Sequence, residues 1–112
     1  MIISHKYKFI FLKTNKTAGT SVEIALSKFC GDDDVITPIS LSDEMIREDL
    51  GFPGPQNYLS PVSDYRFRDI RRLLLKRKLK ERYYNHASAA TVKRYLQRDI
   101  WDGYYKFCFV IS

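Results

Sequence analysis

The 112-residue sequence predicts an α/β fold, a mostly parallel sheet flanked by helices, in a single domain over residues 1–112. Three observations carry that expectation. Two compact runs, Tyr7–Leu12 and Tyr104–Ile111, have the aromatic and branched content of buried strands. The segments between them show helical spacing more than alternation. The first run also passes into a helical pattern through a short loop of small and polar residues, the outline of a strand–loop–helix unit.

In chain order, Tyr7–Leu12 reads as a buried strand and Lys13–Gly19 as a loop. From Thr20 the spacing turns helical, with Val22, Ala25, Leu26 and Phe29 on one face, until Gly31 and the acidic run Asp32–Asp34 stop it. Val35–Ile39 is a candidate short strand. Ser42, followed by Asp43 and Glu44, reads as a helix start whose first turn holds the acidic residues that its dipole favours. Gly51–Ser63 contains three prolines and two glycines and is a loop, in which Gln56, Asn57 and Tyr58 are polar groups able to face a ligand. Asp64–Tyr83 predicts a helix with Phe67, Ile70, Leu74, Leu75 and Leu79 inward. After a break at Asn85–Ser88, Ala89–Gln97 predicts another, with Val92, Tyr95 and Leu96 inward. Tyr104–Ile111 is apolar enough to be a central strand.

Composition bounds the function classes. Hydrophobic residues at 45% and charged residues at 29% are ordinary for a soluble globular protein, and eight Tyr with seven Phe argue against disorder. No apolar run approaches the roughly 20 residues needed to cross a bilayer. No basic leader precedes an apolar stretch, so a cytoplasmic location is expected, or the Golgi lumen if a membrane anchor has been removed. Cys30 and Cys108 read as buried free thiols, and no Cys/His cluster has metal-ligand spacing, so no metal is expected. Between Asp64 and Arg82 there are nine Lys/Arg and three Asp/Glu, a surplus equal to the whole chain's net charge of +6. That basic patch is a solvated helix face, a surface (Arg71, Arg72, Lys76, Arg77) steering an anionic ligand, or, least favoured, a nucleic-acid footprint.

The loop carries the chemistry. A strand feeding a helix N-terminus through small residues aims backbone N–H groups and the helix dipole at one point, which suits a phosphate. Ala18 and Gly19 let the main chain approach an anion, Lys16 adds a mobile charge, and Thr17, Thr20 and Ser21 add hydroxyl donors. A Walker A loop needs its lysine after the glycines, whereas here Lys16 precedes Gly19 and no glycine lies upstream. An ATP β/γ-phosphate cradle is therefore disfavoured.

The segment FLKTNKTAGTSVE resembles the K-T-[AG]-[GS]-T-S loop of Golgi-type and bacterial sulfotransferases, which grips the 5′-phosphosulfate of 3′-phosphoadenosine 5′-phosphosulfate (PAPS). The resemblance implies a P-loop-like sulfotransferase fold in which Lys16 contacts the bridging oxygen and Thr17, Ala18, Gly19, Thr20 and Ser21 hold the phosphate. Asn15 departs from the family's usual proline, which stiffens the turn but supplies no chemistry. A second stretch, YYNHASAATVKRYLQRDIWDGYYKFCFV, is similar to the family's His-containing segment, helix and strand. Together the two cover residues about 5–30 and about 83–110.

Sulfuryl transfer to an alcohol needs a base, and His86 is the candidate, with Glu23 or Glu44 in reserve; His5 is structural or exposed. In the family the second strand leads to an arginine, and then a serine, that hold the 3′-phosphate. Here the arginine's position holds Ile111 and the sequence ends at Ser112, so the domain is expected to be partial, inactive alone and prone to self-association. The expected function is transfer of a sulfuryl group from PAPS to a hydroxyl acceptor, a small molecule or a glycan. The alternatives are a divergent P-loop kinase and a basic nucleic-acid-binding module.

Overall fold

The first seven apolar positions of the chain build a hairpin, seen in a computed structural model that describes residues 1–13, 18–60, 65–77, 79–84 and 89–108, with only the backbone of Ala18 and Gly19. Strand β1, Ile2–Ser4, pairs antiparallel with β2, Phe9–Phe11, in the register Ile2↔Phe11 and Ser4↔Phe9. The four-residue turn between them closes with Lys8 in the left-handed region at φ 56°. Helix α1, Ala18–Ser27, follows β2, and β3, Val35–Ile36, returns to pair antiparallel with the other side of β1. Helices α2 (Leu41–Asp49), α3 (Phe67–Lys76), α4 (Ala89–Tyr95) and α5 (Arg98–Gly103) come next. The last described strand, β4 (Tyr105–Phe107), lies parallel to β2, giving the order β3-β1-β2-β4.

The α/β class is as expected, but the sheet is mixed, with one parallel pair and two antiparallel ones. The reason is local. A turn of four residues can only return the chain antiparallel, whereas a parallel neighbour needs a long crossover, which β2 and β4 have. Period-2 alternation then divides the side chains, Ile3, Ile10 and Val35 to one face and Ile2, Phe11 and Ile36 to the other. All six are buried, as a continuous apolar run requires of a sheet covered on both sides. The core cluster joins Met1, Ile3, Ile10 and Val35 to Tyr83 and Val92, with Tyr95, Leu96 and Trp101 packed around it. The inward face expected of Ala89–Gln97 is therefore the observed one.

Three other expectations are corrected. The helix foreseen over Asp64–Tyr83 covers only Phe67–Lys76, because Arg77 turns left-handed (φ 53°, ψ 35°) and the chain runs on alongside residues 58–60. Its apolar residues do not face inward: Phe67 is 83% exposed and Leu74 75%, and Ile70, Leu75 and Leu79 are exposed as well. On α1 the buried positions are Glu23, Ile24 and Ser27, while Ala25 and Phe29 face solvent, because Glu23 is drawn inward by cations. Finally, β4 is the outermost strand of the described sheet, with Tyr105 72% exposed, and not a central one.

Candidate functional site

The strand–loop–helix unit read from the sequence is present at both of its ends. Strand β2 ends at Phe11, the Leu12 N–H donates to the Phe107 carbonyl of β4 at 2.9 Å, and α1 begins at Ala18. The first turn of α1 has no acidic residue, so the positive end of the helix dipole is not offset there. Ala18 and Gly19 open the helix, and Thr20 and Ser21 complete that turn. Lys16 and Thr17, and the base candidate His86, lie outside the described residues, as do Ile111 and Ser112.

Thr20 and Ser21 share a cavity of about 440 Å³ with Ile24 of the same helix and with Asp43 and Ile46 of α2. The Asp43 carboxylate makes that cavity a poor receptacle for an anion. Phosphate binding by this unit would rest on the backbone N–H groups of the loop and helix start, and not on the α1–α2 crevice.

Between the end of β2 and α1 is a buried charge cluster that sequence reasoning did not assemble. Lys13 and Glu23 are both buried, with Lys13 Nζ 3.4 Å from Glu23 Oε2. The other carboxylate oxygen of Glu23 accepts from the Met1 amino group at 2.6 Å and from Thr37 Oγ1 at 3.2 Å. Burial lowers the pKa of that amino group despite the attraction of Glu23. A carboxylate so engaged is not available as the catalytic base held in reserve. Glu44 is likewise committed, its Oε1 lying 3.4 Å from Arg47 Nη1 and its Oε2 accepting from the Ile39 N–H. The only signal for this cluster in the sequence is a lysine ending an apolar strand and a glutamate within a helix, and both usually lie at the surface.

The remaining candidates resolve as structure. Gln56 Nε2 donates to the carbonyls of Gly31 and Asp34, and Asn57 Nδ2 to those of Asp32 and Asp34. These amides clamp the turn after α1 and do not face a ligand. His5 is structural, its Nδ1 hydrogen-bonded to the Tyr104 hydroxyl at 2.8 Å. Cys30 and Cys108 are free, but Cys30 is only half-buried and Cys108 is exposed. Burial, with Asp34 adding to it, pushes the Cys30 thiol up to about 12, which leaves it protonated and unreactive. Among the described residues no group of three His, Cys, Asp or Glu side chains comes together as a metal site, and no helix is long and apolar enough to cross a membrane.

Comparison of the chain with family models, with curated proteins and with solved structures finds no match.

Proposed function

We propose that the chain is the 5′-phosphosulfate-binding part of a PAPS-dependent sulfotransferase that transfers a sulfuryl group to a hydroxyl on a small molecule or glycan. One observation supports this reading above the others. Strands β2 and β4, which carry the two stretches resembling that family, are adjacent and parallel in the register Phe9↔Tyr105 to Phe11↔Phe107. Their carboxyl ends therefore open on one edge of the sheet, where open α/β sheets bind ligands. The loop that would hold the 5′-phosphate and the segment after β4 begin side by side, joined by the Leu12–Phe107 hydrogen bond.

In this reading Lys16 stabilises the charge that develops on the bridging oxygen as the 5′-phosphate leaves. The N–H groups from Thr17 to Ser21 hold the phosphate, and His86 removes the acceptor hydroxyl proton. The reading is tested by calorimetry with PAP, the desulfated product, and with ATP. PAP is expected to bind more tightly than ATP, and Gly19→Val to abolish binding by moving the backbone away from the phosphate. Lys16→Ala is expected to weaken PAPS by about tenfold or more, the loss of one charge-assisted hydrogen bond. Tighter binding of ATP, or full PAPS affinity in Lys16→Ala, would overturn the assignment.

A further inference from the structure

Exposed arginines of the basic segment and of α4 rim an open hollow. Arg66 and Arg68 at the start of α3, Arg72 one turn on, Arg77 at its C-terminal cap and Arg94 of α4 line one cavity of about 830 Å³. That volume is in the usual range for small-molecule sites. Arg68 and Arg72 are four residues apart and so project from the same side of the helix. Arg71 and Lys76, which the sequence suggested as partners in anion steering, are exposed and do not line the cavity.

The cavity's acids do not balance these charges. Asp69 accepts from the Arg66 backbone N–H at 3.0 Å and from Lys80 Nζ at 3.0 Å, and these two hydrogen bonds hold its carboxyl below the usual range. It is thus ionised and matched to Lys80. Among the described residues that line the cavity, Glu81 alone remains against five arginines. None of the five guanidinium groups forms an ion pair among the described residues. Like charges gathered around one hollow repel one another unless an anion occupies it.

Two further features narrow the ligand. Arg77 holds a left-handed cap position, where glycine would avoid the steric penalty of a Cβ, so the arginine is present at a conformational cost. The aromatic rings lining the cavity already have neighbours. Tyr95 has the guanidinium carbons of Arg82 and Arg94 at 5.9 and 5.8 Å from its centroid and meets Tyr83 edge-on, while Tyr58 packs against the core. A site with several guanidinium forks suits phosphates. Its cations come from helix α3, its cap and helix α4, a spread that suits several phosphate groups more than one.

We propose that this cavity is a binding site for a small ligand carrying a chain or cluster of several phosphate groups. It shares no residue with the loop at 13–21 and stands independently of the sulfotransferase reading. Calorimetry of the 112-residue chain with inorganic tripolyphosphate and with orthophosphate tests it, using Lys16→Ala in parallel to lower the loop's contribution. Tripolyphosphate is expected to bind at least about tenfold more tightly than orthophosphate, with the same affinity in Lys16→Ala. Arg77→Gly is expected to weaken it by about tenfold while its urea midpoint stays level or rises, because glycine suits the cap. The pair Arg72→Gln and Arg94→Gln, neither buried nor in the core, should weaken it as much. Equal binding of the two anions, binding unchanged in these variants, or binding lost in Lys16→Ala would overturn the site. A thymidine oligonucleotide that binds more tightly than tripolyphosphate through the same arginines would replace it with a nucleic-acid groove. The PAP titration reports on the loop separately, so either reading can fail alone.

Discussion

Arg47 presents the sharpest physical conflict at the scale of single residues. It is fully buried on α2, yet its Nε, Nη1 and Nη2 make no hydrogen bond among the described residues, and its ion pair with partly buried Glu44 is long at 3.4 Å. Burying a charge costs several kcal/mol, and a loose pair offsets little of that. Arg47→Met keeps the length and packing of the side chain without the charge. It is expected to leave the unfolding free energy unchanged or to raise it by about 1–4 kcal/mol, measured by urea titration. A loss of more than about 1 kcal/mol would show that the guanidinium has hydrogen-bonding partners. Sequence reading gave no warning of this residue. An arginine in Ile-Arg-Glu-Asp on a polar helix reads as surface, and only the packing of α2 against α1 puts it inside.

Helix α3 is where pattern and packing part at the scale of elements. Phe67, Ile70 and Leu74 recur at helical spacing, the ordinary mark of a core-facing stripe. In the fold that stripe is turned to solvent, and the arginines at 68 and 72 take the cavity side instead. Hydrophobic periodicity identifies a helix and its apolar face but not which body, if any, that face meets. A pair of alanine substitutions separates the two cases. Ile10→Ala, in the middle of β2 and fully buried, is expected to cost about 2–5 kcal/mol. Leu74→Ala is expected to change stability by no more than about 0.5 kcal/mol. Equal losses, read from thermal or urea unfolding, would mean that Leu74 is packed.

At the scale of the whole molecule, the described sheet has an open edge. Strand β4 pairs with β2 on one edge, and no strand pairs with its other edge among the described residues. An unpaired edge carrying exposed Tyr105 is a template for a second copy of the same strand. The chain is therefore expected to self-associate at micromolar concentrations, as sedimentation would show, and Tyr105→Lys to shift it toward monomer, since a charge on an edge strand opposes pairing. A monomer at all concentrations would mean that this edge is covered.

The α/β class, the β2–loop–α1 unit, the inner face of α4 and the placement of the basic surplus between Asp64 and Arg82 were all readable in residue order. Each depends on neighbours a few positions apart, where propensity and periodicity act. The mixed sheet, the burial of Lys13, Glu23 and Arg47, and the gathering of five arginines around a hollow were not readable. They join residues as distant as Met1 and Thr37, or Arg66 and Arg94, whose proximity depends on strand pairing and helix packing. Burial of a charge follows from what surrounds it in space, and local sequence says little about that. The sequence by itself determined that the strand at Phe9–Phe11 is followed within a few residues by a helix. Only the tertiary structure decided that β2 and β4 lie parallel at one edge, because that pairing is made across some ninety intervening residues by hydrogen bonds which no local pattern encodes.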